Sequence, residues 1–251
     1  MRIVIASDVD EMGRMAAQRA AAILRDAISD NRRARLIVAT GASQFTVLDH
    51  LVREPDLDWQ LVDGFHLDEY IGIDRSHPAS FCRYLHERLV QKVPIGSFHF
   101  LDEAPSPEES VQRVGALLGS QPIDVALVGI GENGHLAFND PPADFDTTDP
   151  YLIVKLDTAC RQQQVGEGWF AGLDDVPTHA ISMSVQQIMR SRSIICSVPD
   201  ERKAAAVRAA VEGPVRPDVP ASILQNHDDC TLLLDPASAS LLSAQHRGES
   251  S

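Results

Sequence analysis

No apolar run in this 251-residue chain approaches the roughly 20 residues needed to cross a bilayer. The run inside Met1-Arg2-Ile3-Val4-Ile5-Ala6-Ser7-Asp8 is too short for a secretory leader, so a cytoplasmic protein without a membrane partner is expected. Cysteine is scarce and unpatterned: Cys82, Cys160, Cys196 and Cys230 show no C-x-x-C spacing, which predicts reduced, buried thiols. Basic residues are outnumbered, 22 Lys and Arg against 36 Asp and Glu, for a net charge of −14. That balance disfavours nucleic acid or an anionic membrane surface as a partner, and no basic helix-turn-helix segment is present. An anionic substrate must therefore find a local positive site against an unfavourable overall field. His66, His77 and His86 lack the H-E-x-x-H spacing of a metal-binding helix, and no metal is expected. Internal repeats and low-complexity tracts are absent, and the tail beyond Ala244 reads as frayed.

What is present is an alternation of strand-like and helical runs. Strands are predicted at Ile3 to Ser7, Leu36 to Ala39, into Asp68, Phe98 to Leu101 and Asp124 to Ile130, with helices at Met12 to Ile28, from Ser43, at Phe81 to Val90 and at Glu108 to Leu118. Further strands are expected at Tyr151 to Leu156, His179 to Met183, Ser193 to Ser197 and Cys230 to Leu234, while Thr158 to Asp175 reads less regularly. Such alternation predicts an α/β fold: a doubly wound, mostly parallel sheet with helices on both faces, in one domain spanning 1–251.

Three predicted strand ends carry chemistry. The apolar strand Asp124 to Ile130 runs into Gly131-Glu132-Asn133-Gly134-His135-Leu136-Ala137-Phe138-Asn139-Asp140-Pro141, which holds a titratable imidazole where open α/β sheets bind ligands. Gly129, Gly131 and Gly134 also spell a dinucleotide fingerprint, but Pro141-Pro142 forbid the helix which that reading requires. Upstream, Asp68 and Glu69 follow a strand and are expected to point into the same crevice as His135. The Thr40-Gly41-Ala42-Ser43 turn leads into a helix and makes a candidate anion site from backbone N–H groups and hydroxyls.

These residues resemble the glucosamine-6-phosphate deaminase family, which shares its fold with the 6-phosphogluconolactonases. Four separated segments carry the resemblance in order: Thr40 to Ser43; Leu67-Asp68-Glu69-Tyr70-Ile71-Gly72 with His77-Pro78; the Gly129 to Pro141 loop; and Lys203-Ala204-Ala205 through Gly213. The resemblance implies a Rossmann-like fold, a small-molecule sugar phosphate as partner, no cofactor, and a mobile lid at about 158–175. It allows a homo-oligomer.

By the same resemblance Asp68 is the base that moves a proton from C2 to C1, and His135 is the ring-opening catalyst, with Asn133 and Asp140 beside it. Thr40, Gly41, Ala42, Ser43 and Lys203 fall on the phosphate site, and Glu69, Gly131 and Gly134 on the substrate site. Two departures stand out. The family commonly has glutamate where this chain has Asp140, and the lid arginine position falls on Gln164, with Arg161 one turn earlier as the candidate replacement. The expected reaction is deaminating isomerisation of glucosamine 6-phosphate to fructose 6-phosphate and ammonia. A 6-phosphogluconolactonase and a non-catalytic sugar-phosphate sensor stay open as alternatives.

Overall fold

Asp8 opens the first helix, its carboxylate accepting the Glu11 N–H at 2.8 Å with acidic Asp10 and Glu11 in the first turn. An alanine-rich stripe, Ala16, Ala17, Ala20, Ala21 and Leu24, then recurs at helical spacing and is buried against the sheet. The computed structural model describes residues 1–102, 105–119 and 121–247. Helices are α1 (Val9–Asn31), α2 (Phe45–Leu51), α3 (Phe81–Leu85), α4 (Pro107–Leu118), α5 (Thr158–Gly166), α6 (Val185–Met189), α7 (Ala204–Glu212) and α8 (Ala244–Arg247). Strands are β1 (Arg2–Ile5), β2 (Ala34–Val38), β3 (Val62–His66), β4 (Asp68–Tyr70), β5 (Ser97–His99), β6 (Val125–Val128), β7 (Tyr151–Lys155), β8 (His179–Met183), β9 (Ser193–Val198) and β10 (Cys230–Leu234).

Seven strands form one parallel sheet in the order β1-β10-β9-β6-β2-β3-β5. Both faces are covered, so its inner strands are apolar throughout rather than alternating. Leu36 and Val38 of β2 pack with α1, α2 and α3, while Ile37 faces the opposite core with Val114 of α4 and Val207 of α7. The doubly wound α/β expectation holds.

Chain order fixes where a ligand can sit. From β2 the chain winds outward through β3 to β5, and from β6 it winds the other way through β9 and β10. The β2 and β6 strands lie side by side at this reversal, so the loops leaving them splay apart and open a crevice at the carboxyl edge.

The sequence reading missed a second sheet. Strands β4, β8 and β7 pair antiparallel in a three-stranded sheet, so the Tyr151 and His179 segments do not extend the parallel one. Leu67 is the junction: its N–H donates to Val38 O of the large sheet and its carbonyl accepts from Met183 N of the small one. Asp68 therefore begins a new strand rather than ending the old one. Two other expectations change. The segment Thr158 to Asp175 is regular at its two ends only, with α5 capped by Asp157 accepting from Cys160 N and a short 3₁₀ turn at Leu173–Asp175, joined by turns and bends. The tail carries α8, whose His246 Nδ1 lies 3.1 Å from Glu212. Its last four residues lie outside the described ones.

Candidate active site

The crevice is a cavity of about 420 Å³, lined by the turn after β2, by Asp68, by the glycine loop after β6, by α5 and by the segment after β9. That volume suits a small ligand such as a sugar phosphate. On the β2 side, Gly41 has φ +88°, which turns the chain into the 3₁₀ segment Ala42–Gln44 ahead of α2. Gln44 Nε2 ties this turn to Val128 O of β6 at 3.1 Å. Ser43 Oγ presses so closely on Gly129 that a Cβ there would lie 2.7 Å away. Thr40, Gly41, Ala42 and Ser43 all line the cavity, as expected.

On the β6 side, the imidazole of His135 lies against Gly131, where a Cβ would sit 2.2 Å from its Cε1. Gly131 is thus needed for close approach. Asp140 Oδ1 stands 3.3 Å from His135 Nδ1, an ion-pair contact whose geometry falls short of a hydrogen bond. Asn133 works on the same carboxylate: its Nδ2 donates to Asp140 Oδ1 at 3.1 Å while its Oδ1 accepts the His135 N–H at 3.1 Å. The Asp157 N–H donates to Asp140 Oδ2 at 3.1 Å. Burial works against ionisation of Asp140, but the His135 contact and these N–H donors outweigh it and hold its carboxyl below the usual range. The shorter aspartate therefore still reaches the ring. Asn133 and Asp140 lie behind His135, while the ring itself lines the cavity. Gly134 does not bind there: it has φ +86°, faces Val219, and its carbonyl accepts from Ala221 N.

Asp68 and Glu69 part company because successive strand residues point to opposite sides. Asp68 lines the cavity with Oδ1 buried and unpartnered. Burial, and then the neighbouring charge of Glu69, push its carboxyl up to about 8. Glu69 turns away and accepts from Tyr70 N, Ser80 Oγ, Phe81 N and Cys82 N, binding the start of α3. The expected substrate contact from Glu69 is thus a structural one. Ser80, the N-cap of α3, was the signal in the sequence that could have revealed it.

Arg161 also departs from expectation. Its guanidinium donates to the carbonyls of Leu173 and Val176 in the stretch after α5, off the cavity. Helical spacing explains this: Cys160, Gln163, Gln164 and Glu167 form the inward stripe of α5 and its end, about 100° per residue leaving Arg161 on the flank. Gln164 lines the cavity and takes the Tyr70 hydroxyl on its Oε1 at 2.8 Å. Lys203 lines the cavity as expected, and Arg202 beside it was missed.

Among the described residues two clusters bring His, Cys and carboxylate atoms within 4.8 Å of one another, His66–Glu69–Cys82 and His135–Asp140–Cys160. In the first, the Glu69 carboxylate is spent on the Tyr70 N–H and the start of α3, and burial pushes the Cys82 thiol far up. In the second, Asp140 is already engaged and burial likewise raises the Cys160 thiol. Both donor sets are neutral thiols beside committed carboxylates, a poor fit for a cation that needs thiolate.

Residues 7–233 match the family described as glucosamine-6-phosphate isomerases/6-phosphogluconolactonase. The chain belongs to that family. A glucosamine-6-phosphate deaminase of Streptococcus pneumoniae is 37% identical over 206 residues, covering 82% of this chain and 86% of the relative. One from Listeria monocytogenes is 36% identical over 226 residues, covering 90% and 94%. Among solved structures, a monomeric glucosamine-6-phosphate deaminase superposes with a TM-score of 0.85 at 31% identity, covering 96% of this chain and 100% of that one. A 6-phosphogluconolactonase from Shewanella baltica reaches 0.78 at 20% identity, covering 94% and 97%, a likeness of fold alone. No helix among the described residues is long and apolar enough to cross a membrane.

Proposed function

We propose that this protein is a glucosamine-6-phosphate deaminase, converting glucosamine 6-phosphate and water to fructose 6-phosphate and ammonia in the cytoplasm. The observation that carries the reading is the buried carboxylate of Asp68, with an unpartnered oxygen, in one cavity with the His135–Asp140 pair. Deaminase relatives at 31–37% identity support it.

The chemistry follows from the groups available. The phosphoryl group sits at Thr40 to Ser43 and Lys203, which directs the ring toward Asp68 and His135. His135 takes the proton of the anomeric hydroxyl and delivers one to the ring oxygen, opening the sugar, while Asp140 holds the imidazole and its transient charge. Ionised Asp68 removes the C2 proton while the substrate ammonium yields a proton to the C1 oxygen, giving an enolamine; Asp68 then returns its proton to C1, leaving an iminium at C2. Water adds to that carbon, the C–N bond breaks, and ammonia departs with the ketose. The segment 158–175 serves as the lid over this cavity.

The deciding experiment measures ammonia and fructose 6-phosphate from glucosamine 6-phosphate beside hydrolysis of 6-phosphogluconolactone. Stoichiometric ammonia and ketose are expected. Lactone hydrolysis without ammonia would overturn the reading, and silence in both channels would leave only a binding protein.

A further inference from the structure

The lysine of the phosphate seat is already occupied by protein carboxylates. Lys203 Nζ lies 3.3 Å from Glu167 Oε1 and 3.8 Å from Glu132 Oε1, and the Lys203 and Glu167 side chains are 10% and 9% exposed. Glu167 is held there from two more sides. Gln163 Nε2 donates to its Oε1 at 2.8 Å, and the Trp169 indole donates to its Oε2 at 3.3 Å. Gln163 Oε1 in turn accepts the Glu132 N–H at 2.9 Å, so the Glu167 carboxylate ties Lys203 to the end of α5 and reaches the glycine loop only through Gln163. The neighbouring cation is committed as well: Arg202 pairs with Asp200 at 2.7 Å and lies 3.6 Å from Glu132.

A phosphoryl group carrying about −1.5 to −2 charge cannot share Lys203 with Glu167 without a like-charge contact in a largely desolvated site. We propose that Glu167 is an internal counter-anion of the phosphate seat, which the substrate phosphoryl group displaces from Lys203, so that filling the seat frees the end of α5 from Lys203. Glu167 then sets substrate affinity as a specificity residue, and its release couples phosphate recognition to lid movement. The inference rests on the phosphate seat assigned to Lys203 under the proposed function.

The test titrates inorganic phosphate into the full chain at pH 7.5 and constant ionic strength by calorimetry, for wild type, Glu167→Gln and Lys203→Met. Glu167→Gln is expected to bind phosphate at least about fivefold tighter than wild type, a floor set by the worth of a good exposed ion pair, and Lys203→Met to lose binding. Equal or weaker binding by Glu167→Gln, with Lys203→Met still defective, overturns the counter-anion role alone. Phosphate binding indifferent to Lys203→Met overturns the seat itself, and the proposal with it. A second readout needs no variant of Glu167. Trp169 emission should change as phosphate fills wild type, with the same Kd as calorimetry, and an unchanged spectrum at saturation overturns the displacement.

Discussion

The carboxyl of Asp68 is the group whose chemistry the structure makes most measurable. With its pKa pushed up to about 8 by burial and by Glu69, about a hundredth of the free enzyme carries the ionised base at pH 6, about a tenth at pH 7 and about nine tenths at pH 9. The expected kcat/KM for glucosamine 6-phosphate therefore rises about tenfold per pH unit below 8 and levels above it. In the complex the substrate ammonium lies beside the C2 proton that Asp68 takes, and a cation there favours the carboxylate. The limb in kcat should consequently fall at lower pH than the limb in kcat/KM. Asp68→Asn removes the base and is expected to lower kcat by about 10²–10⁴-fold with KM little changed. Initial rates of ammonia release from pH 5.5 to 9.5, corrected for substrate ionisation, supply both profiles. A profile flat between pH 6 and 8, or C2 proton exchange at the parental rate in Asp68→Asn, would refute the assignment.

The same burial predicts a stability effect of opposite sense. Because the folded pKa of Asp68 lies above its unfolded value, its contribution is fully present below pH 4 and is lost as pH rises toward 8. Asp68→Asn should thus melt above wild type at pH 8, by about 2–5 kcal/mol of stability, with the gap closing near pH 4; thermal scans at the two pH values check it. Asp140→Asn keeps the shape but loses the charge facing His135 Nδ1, and a kcat lower by at least about 10²-fold is expected from steady-state rates. Gly131→Ala would drive a methyl into the imidazole, so activity should fall by about 10²-fold while circular dichroism stays native. Glu69→Ala leaves three donors at the start of α3 and the Tyr70 N–H without their acceptor, and urea titration should show a loss of about 3 kcal/mol.

Much of the large sheet was legible because its strands are short apolar runs and its helices carry their own start signals. Asp8 and Ser106 cap α1 and α4, with Pro107 at the first turn of α4. The small sheet was not, since β4 follows β3 after the single residue Leu67, with no turn chemistry to announce a change of partner. Nor did β7 betray it: Tyr151-Leu152-Ile153-Val154 is an unbroken apolar run like those of the large sheet, and only in the fold does Ile153 turn out to be exposed. The same local blindness misplaced three residues. Glu69 is one pleat from Asp68, Arg161 one position from the inward stripe of α5, and Gly134 on the outer side of its loop. Each lies within a few residues of a true cavity group, and only the direction of the side chain separates them.

The sequence by itself determined which atoms were available: an imidazole after a buried strand, a carboxylate after another, and a lysine opening a helix. Hydrophobic periodicity and turn residues act over a few positions, and they suffice to specify elements and their order. Tertiary structure decided what those groups became. Packing the β2 and β6 edges side by side brought Ser43 onto Gly129, burial raised Asp68 and left one oxygen free, and the end of α5 set Glu167 against Lys203. Desolvation and ion pairing depend on neighbours from distant parts of the chain, so the chemistry of the site is a property of the folded contacts.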